Sequence, residues 1–471
     1  MSELYTRRGS LSLIKEAAIN TPLTPTTFIP FNDENIVTEF PYIPVVPVSG
    51  NRAMNLRTVA GAIPAPIGTI NLNIEPKTFP HFLLGILGGL TSGQYMPITG
   101  ESGAFTVGST VSGVSSSKSA TVVADINGEF LLVSGATGDF TDGEALQESA
   151  GGTQTATLTE FDATVFAHIG SLPAEIGTGE TFSLQVNYAE SAIRYFGVRF
   201  TGLDAIGQAD NVLTAGVGVM AQGMFRQAKV TAITAGGAGA KTISLDQSLG
   251  LVAADSIKLY RPGTGFLDFS ASSTKTHTVA TVASAKSITV TNLETATAVG
   301  DLILLAPQTA SYTLANEFAW IGGSEVTIGA DIDNLASEKV EDFTISILNE
   351  YESRHSAQGA DFQDRFPSAI LQKGCTGAGS FKMHYTDEDF VKILRLNTAQ
   401  GLELRVIGCQ IGSTGIEYEV RVYLPEVQLD NFDTSLSVDA LVDQDIPFTH
   451  FYNSSQGYQS RVVVINDIAS Y

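Results

Sequence analysis

Residues 66–88 read PIGTINLNIEPKTFPHFLLGILG, and this stretch joins two different periodicities. From Gly68 to Ile74, apolar and polar residues alternate, which is typical of a half-buried β-strand. From Phe79 onward, apolar residues recur at intervals of three and four, and Gly88 supplies a C-terminal stop signal. The stretch therefore predicts a glycine-led strand followed by a short amphipathic helix that packs on the same core.

A second stretch of the same design starts at Gly379, 311 positions after Gly68. Residues 379–385 read GSFKMHY and alternate in the same way. Residues 386–396, TDEDFVKILRL, begin with the candidate N-cap Thr386, carry an acidic first turn and have an apolar stripe. We predict that one strand–helix core forms twice, from Ile70, Leu72, Ile74, Phe79, Phe82 and Leu83, and again from Phe381, Met383, Tyr385, Phe390, Ile393 and Leu394.

Each predicted helix is followed further along the chain by a pair of alternating segments. These are residues 195–200 with 217–225 in the first half, and residues 420–424 with 446–451 in the second. The common order of strand, helix and strand pair predicts a duplicated module. The alternative is that unrelated β segments share only their alternation, because identities between the halves are few.

Two stretches of different character interrupt this pattern. Residues 100–160 are rich in Gly, Ser and Thr, and Asn127-Gly128 is a hairpin signal. Residues 229–308 contain a repeat of their own, in which 241–262 matches 286–307. That alignment places Ile243 on Ile288, Leu245 on Val290, Ile257 on Leu302 and Leu259 on Leu304. Both stretches are predicted to be small inserted β domains.

The predicted fold is therefore all-β: β-sandwich or half-barrel modules with short flanking helices, plus two small inserted all-β domains. The predicted boundaries are residues 1–99 and 161–228 for the first module, 100–160 and 229–308 for the insertions, and 309–471 for the second module.

The charge balance excludes a dedicated nucleic-acid binder. Charged residues make up only 16% of the 471 residues, against roughly 25% in an ordinary soluble domain. The 26 Lys and Arg are outnumbered by 49 Asp and Glu, and the net charge of -23 repels phosphates. The arginines are dispersed and lack an interleaved aromatic series, so we expect them to form salt bridges at module or subunit contacts.

No catalytic, cofactor or metal site is predicted. The sequence GGAGAKT at 236–242 has Ala240 where a phosphate-binding loop requires Gly. Neither Cys375 nor Cys409 lies in a sequence context that would activate its thiol. Three Asp pairs are interpreted as turn and helix-start residues rather than calcium ligands or catalytic carboxylates: Asp331/Asp333, Asp387/Asp389 and Asp443/Asp445.

The chain is also expected to be made in the cytosol and to lack a membrane span. The longest apolar run, residues 82–90, is less than half of the roughly 20 residues that a spanning helix needs. No apolar signal region follows Met1, so both thiols are expected to be reduced.

Three segments, taken in order, carry a family resemblance. They are residues 49–57 (SGNRAMNLR) with a loop through Gly61, residues 66–88, and residues 187–225 (NYAESAIRYFGVRFTGLDAIGQADNVLTAGVGVMAQGMF). This arrangement resembles the major tail tube proteins of long-tailed bacteriophages over roughly residues 20–95 and 160–228 and, through the repeat, 310–471. The resemblance implies a structural virion protein, made in the host cytoplasm, whose rings stack into a hollow tail tube around DNA and the tape measure protein.

The duplication departs from that family. Single-module tube proteins form sixfold rings, so two modules per chain predict a homotrimeric ring with pseudo-sixfold symmetry. A homohexamer is the alternative if the second half is not a true tube module. A lumen wall of Asp, Glu, Asn, Ser and Thr would let DNA slide, and the insertions are expected on the outside.

Two long loops, residues 45–66 and 351–377, are candidate arms that reach the next ring. The candidate ring or stacking contacts are Arg52, Arg57, Tyr351, Arg354 and Arg365.

Two other functions stay open at this stage. A capsid decoration or tail-adaptor protein would form discrete complexes instead of long tubes. A phage polysaccharide depolymerase is a weaker alternative, because the sequence lacks a solenoid repeat of about 20 to 25 residues.

Overall fold

The computed structural model describes residues 9–45, 57–149, 153–173, 179–237, 239–267, 276–291, 293, 295–321, 324–332, 335–356, 362–384, 392–393, 396–430 and 443–471. The fold is all-β, as predicted, with the helix α1 (Phe79–Leu87) directly after the glycine-led strand. Gly88 ends this helix in a left-handed conformation, with φ of 81°. Gly85 lies so close to the core that a Cβ there would be 2.4 Å from the Phe200 ring.

The first half of the chain contributes strands on both sides of residues 91–158. They are β1 (Ser10–Lys15), β2 (Thr27–Ile29), β3 (Asp33–Glu34), β4 (Tyr42–Val45), β5 (Arg57–Ala60), β6 (Ile67–Asn73), and, after the first insertion, β13 (Phe166–Ser171), β14 (Phe182–Asn187), β15 (Ala192–Gln208) and β16 (Thr214–Met220). Residues 91–158 hold β7 (Thr91–Thr99), which precedes the predicted insertion, and, within it, β8 (Thr110–Gly113), β9 (Ser119–Ile126), β10 (Phe130–Ser134), β11 (Ala145–Ser149) and β12 (Thr155–Leu158).

The remaining strands follow β16 in chain order. They are β17 (Gly223–Phe225), β18 (Gln227–Lys229), β19 (Lys241–Ser244), β20 (Ser256–Arg261), β21 (Gly265–Phe266), β22 (His277–Ser284), β23 (Ser287–Val290) and β24 (Leu302–Leu305), then β25 (Glu325–Gly329), β26 (Leu335–Glu338), β27 (Val340–Arg354), β28 (Ala369–His384), β29 (Gln400–Gln410), β30 (Glu417–Leu429), β31 (Asp443–His450) and β32 (Arg461–Asn466). A 3₁₀ turn, Phe362–Arg365, lies between β27 and β28.

Seven strands in each half pair in the same order. In the first half the order is β2–β1–β14–β15–β16–β6–β3. In the second half it is β26–β25–β29–β30–β31–β28–β27. Ile70 pairs with Val217, and Phe381, 311 positions after Ile70, pairs with Ile446. The two halves therefore share a sheet topology as well as a sequence pattern.

The two arrangements are joined because β27, the edge strand of the second, pairs with the C-terminal part of β15, beyond the residues of β15 that pair with β14. Their antiparallel ladder runs from Gly202 opposite Leu348 to Gln208 opposite Asp342. We call this ladder the seam. It makes one continuous sheet of β3, β6, β16, β15, β27, β28 and β31.

The loop predicted at residues 351–377 is only partly correct, because residues 351–354 belong to β27 and residues 369–377 belong to β28. Two glycines of β28 allow close packing of the sheet. A Cβ at Gly377 would be 2.0 Å from the His450 ring, and one at Gly379 would be 2.4 Å from the Phe448 ring. Part of the other predicted loop, residues 45–66, is likewise strand, since β5 pairs with β4.

The predicted strand–helix core of the first half is buried. Ile70, Leu72, Ile74, Phe79, Phe82 and Leu83 are each at most 2% exposed. In the second half Phe381 is 1% and Met383 3% exposed, and Ile393 is partly buried against the same cluster. Tyr385, Phe390 and Leu394 lie outside the described residues.

Each stretch predicted as an insertion surrounds an apolar cluster separate from the main core. Between Met96 and Phe161 the cluster includes Phe105, Val133 and Leu146. Asn127 and Gly128 form the turn between β9 and β10, with φ of 50° and 68°. The second cluster lies between Ala192 and Leu305.

In the second insertion, the repeated strands pair with their own counterparts, β19 with β23 and β20 with β24. The predicted alignment is wrong by one residue in the second pair. Ile257 and Leu259 are buried, but their buried counterparts are Ile303 and Leu305 rather than Leu302 and Leu304. All four residues of β24 are apolar, so the sequence pattern does not indicate which of them are buried.

Candidate functional site

The continuous sheet has one apolar face and one polar face. On β6, Ile70 and Leu72 point into the core, whereas the alternate residues Thr69 and Asn71 do not. We call the second surface the open face. Its polar side chains include Asp33, Thr69, Asn71 and Asn73 on one side of the seam, and Asp342, Thr344, Ser346, Ser380 and Thr449 on the other.

Cross-strand hydrogen bonds connect the polar side chains of the open face. Asn71 Nδ2 donates to Asp33 Oδ1 at 2.7 Å. Across the seam, Ser346 Oγ donates to Asp204 Oδ1 at 2.5 Å. Other pairs are Asn32 with Asn73 at 2.9 Å, Thr344 with Ser380 at 3.1 Å and Thr449 with Asp430 at 3.1 Å. The surface is thus hydrophilic, yet many of its polar groups are already engaged with one another.

The open face is weakly anionic. Lys382 is flanked in register by two carboxylates, Asp342 on β27 and Asp445 on β31. Its Nζ also lies 3.6 Å from a carboxylate oxygen of Glu341. Because the ammonium group is surrounded by carboxylates, it offers little attraction to a passing phosphate.

The predicted contact residues that the structure describes lie in β5, in β27 and in the 3₁₀ turn between β27 and β28. Arg365 Nε donates to the Gly61 carbonyl at 2.8 Å, and Ile63 N donates to the Arg365 carbonyl at 2.7 Å. Arg365 therefore links the two halves of the chain. Tyr351 is half-buried, with its ring centre 5.8 Å from the Arg199 guanidinium.

Arg354 lies further along β27. Arg354 is 62% exposed and pairs with Glu352 at 2.9 Å. Arg57 lies in β5, and Arg52 falls outside the described residues.

Two other arginines form buried ion pairs between parts of the chain, as the sequence predicted for module contacts. Arg194 makes a two-pronged contact with Asp255, and both side chains are 1% exposed. The pair fastens β15 to the second insertion.

Arg421 contacts Glu419 on β30 and Glu129 in the turn after β9. Burial favours the neutral form of Glu419, but Arg421 and Arg405 outweigh it and hold the pKa of Glu419 below its usual value. On the neighbouring strand, burial and the charge of Glu129 raise the pKa of Glu403 to about 7. These contacts join the first insertion to the second half.

A Ser–His–Asn array in the core has the outline of a hydrolase triad. Ser92 Oγ lies 2.8 Å from His168 Nδ1, and His168 Nε2 lies 3.1 Å from Asn466 Oδ1. His168 is fully buried, and burial lowers its pKa to about 4. The Asn466 amide donates to the Pro76 carbonyl and to the Tyr471 hydroxyl. We interpret the array as a clamp that holds the C-terminal residues against the start of α1.

The described residues contain no group of three His, Cys, Asp or Glu side chains suited to hold a metal ion. Both cysteines are free, and burial raises the pKa of Cys375 to about 11. Within the described part of the chain, no helix is long and apolar enough to cross a membrane. No family model matches the chain, and no curated protein is significantly similar to it.

One repeated motif was missed in the sequence. Residues 36–40 read IVTEF and residues 347–351 read ILNEY, at the same shift of 311 that relates the two glycine-led strands. Extending the alignment toward the N-terminus from Gly68 and Gly379 would have found it. Each motif lies beside its glycine-led strand on the open face.

Proposed function

We propose that this chain is a structural subunit of a phage tail tube, in which copies join side by side into rings and the rings stack into a hollow conduit. The observation that carries the proposal is the seam, where β15 of one half pairs with β27 of the other. Two like arrangements joined by a strand ladder would supply a segment of a ring wall.

The unpaired backbone groups of strand edges support the assembly of copies into a ring. An uncovered strand edge exposes unpaired backbone groups and favours association with another chain. Closing a sheet on itself removes such edges, and a ring of copies achieves this. With two arrangements per chain, three chains would supply the six wall units of the tube proteins that this sequence resembles.

The open face supports a wall around DNA. Its hydroxyl, amide and carboxylate groups are mostly bonded to one another, and its lysine is surrounded by carboxylates. A polyanion passing along this surface would release few counterions and would slide instead of sticking. We propose that this face lines the bore around DNA and the tape measure protein, and that both insertions lie outside it.

The proposal places the protein in the virion after its synthesis in the bacterial cytoplasm. It requires no cofactor and no catalysis, because the chain acts only by assembling.

Native mass spectrometry of the purified full-length protein tests the ring order. The expected species has three chains of 49.7 kDa each. Six chains per ring would contradict the paired-module ring, and a stable monomer at high concentration would contradict assembly itself. Discrete closed complexes without tubes would favour an adaptor or decoration protein.

A further inference from the structure

The seam combines an edge strand of one half with the flank of a long strand of the other half, and each half has both. In the matched pairing orders, β3 takes the place of β27 at the edge, and β30 takes the place of β15. The seam uses β27 and β15. The equivalent pair, β3 and the C-terminal end of β30, is therefore left over within one chain.

The end of β30 repeats the part of β15 that forms the seam. Beyond the residues that pair with β14, β15 carries Leu203 and Asp204. Beyond the residues that pair with β29, β30 ends on Leu429, which is followed by Asp430. Each leucine is buried and lies opposite the next strand of its half, β16 or β31, and each aspartate is exposed. The two Leu-Asp pairs are thus equivalent positions of the repeat.

The edge at β3 repeats the part of β27 that forms the seam. The shared motif places Ile36 on Ile347, and the preceding residues, Asn35 and Ser346, are equivalent as well. Ile36 is 9% and Ile347 1% exposed, so both belong to the core. Both partners of the seam therefore have a counterpart elsewhere in the chain.

The backbone of Ile36 is directed away from the rest of the first half. Its neighbours Asn35 and Val37 donate their amides to β6, and successive residues of an antiparallel strand face opposite sides. The Ile36 amide donates instead to Glu34 Oε2, two residues earlier, at 3.0 Å. In the described part of the chain, β3 pairs only with β6. The single chain thus covers this edge amide with its own acidic side chain, which restrains uncontrolled strand pairing.

The end of β30 has the matching orientation. Asp430 N donates to the Pro447 carbonyl of β31 at 2.9 Å, so the backbone of Leu429 is directed to the opposite side. On that side, β29 pairs with β30 only as far as Val427. Among the described residues, no strand pairs with Leu429 on this side.

We infer that β3 of one copy forms an antiparallel ladder with the C-terminal end of β30 of a neighbouring copy, and so repeats the seam between chains. This inference rests on the proposed function and names the edges at which the copies join. Because the two edges differ, the contact is head-to-tail, and it closes into a ring when the third copy meets the first.

The seam sets the register of this ladder, because equivalent residues should lie opposite each other. The Asn35 amide can then donate to the Asp430 carboxylate, as the Ser346 hydroxyl donates to Asp204. The expected pairs between copies are Ile36 with Leu429 and Asn35 with Asp430, by analogy with the seam pairs Ile347 with Leu203 and Ser346 with Asp204.

Disulfide trapping tests this register in the full-length protein. In a C375S/C409S background, N35C/D430C is assembled and oxidised, and its chains are separated under denaturing, non-reducing conditions. We expect linked species of two and three chains, in at least about tenfold excess over N35C or D430C alone, because directly opposite residues suit a disulfide. The matched control D204C/S346C places the equivalent pair within the seam and should remain a single chain.

A mixture of the two single variants tests the direction of the contact. N35C assembled with D430C should give linked pairs and no linked trimers, because each chain then carries one cysteine. Linked pairs from N35C alone would mean that β3 meets β3 of its neighbour and would overturn the inference.

Hydrogen exchange supplies a second measurement that needs no substitution. The amides of Ile36 and Leu429 should exchange at least about tenfold more slowly in rings than in the dissociated chain. Rings that form without the N35C–D430C link and without slower exchange would overturn the inference while leaving the proposed function intact. Failure of the wild-type protein to form any ring would overturn both.

Discussion

Leu203 of β15 and Ile347 of β27 lie opposite each other in an antiparallel ladder, although they belong to different halves of the chain. Leu203 is 5% and Ile347 1% exposed, so both enter the shared core. The seam thus combines a backbone ladder with apolar burial, the two contributions that a stable joint between copies would also need.

Truncating Ile347 should weaken the fold at the seam. Ile347→Ala should lower the free energy of unfolding by about 2–5 kcal/mol, because it leaves a cavity in the core. The adjacent Leu348 points outward, so Leu348→Ala should change the free energy of unfolding by no more than about 0.5 kcal/mol. Chemical denaturation of both variants checks this, and equal effects would contradict the assigned faces of β27.

Replacing glycine by alanine in β28 should be tolerated at one position and destabilising at another. Gly377→Ala should destabilise by about 1–3 kcal/mol, because its Cβ would meet the buried His450 ring at 2.0 Å. At Gly374 a Cβ meets nothing within 4 Å, so Gly374→Ala serves as the control. Thermal unfolding measures the difference, and a harmless Gly377→Ala would indicate that this region is not paired as a strand.

The buried pair of Arg194 and Asp255 should be sensitive to the loss of one partner. Asp255→Asn should destabilise by about 3–5 kcal/mol, because it leaves an uncompensated buried guanidinium. The double variant R194M/D255L should recover much of that loss. Glu352→Gln, at the exposed pair with Arg354, should have only a small effect because water screens it. Denaturation of the three variants would contradict this account if D255N behaved like E352Q.

Glu403 should make stability fall as the pH rises. Its pKa is raised from 4.5 to about 7 by burial and by Glu129, so between these values the folded chain keeps a proton that the unfolded chain has released. Stability is therefore greatest below about pH 4.5 and declines toward pH 7 for this group. Glu403→Gln should be more stable than wild type by roughly 1–3 kcal/mol at pH 8 and nearly equal to it at pH 4. A constant difference across this range would contradict the assignment.

Reversing charge on the open face should create a surface that binds DNA. The triple variant D204K/D342K/D445K places two cations beside Lys382 and a third on β15, and it should retain double-stranded DNA with a steep dependence on salt. Wild-type tubes should show no such retention. Fluorescence anisotropy with labelled DNA measures both, and equal retention by the two proteins would indicate that this face is not accessible to DNA.

Local sequence patterns predicted individual strands and the helix. The alternation around Ile70 and the spacing around Phe82 were sufficient for the strand and the helix, because each element buries its own apolar side. Pairing partners were not predictable in this way, and the seam between β15 and β27 follows from tertiary contacts that no local pattern encodes.

Glycine was the main source of error. Gly374 and Gly377 indicated a loop, but Gly377 admits the ring of His450 into a tight sheet, as Gly379 admits the ring of Phe448. Which residues of β24 face the core was unpredictable for a different reason. An unbroken apolar run has no alternation of apolar and polar residues. The polar bonds of the open face were likewise hidden, because Asp204 and Ser346 are distant in sequence and meet only across the seam.

A cryo-EM reconstruction of the assembled protein tests the central claim most directly. The account predicts a hollow tube whose wall repeats six times per ring from three chains, with the face of Asn71, Asp204 and Thr344 toward the bore. A solid particle, a ring of six chains, or a bore lined by the insertions would contradict it.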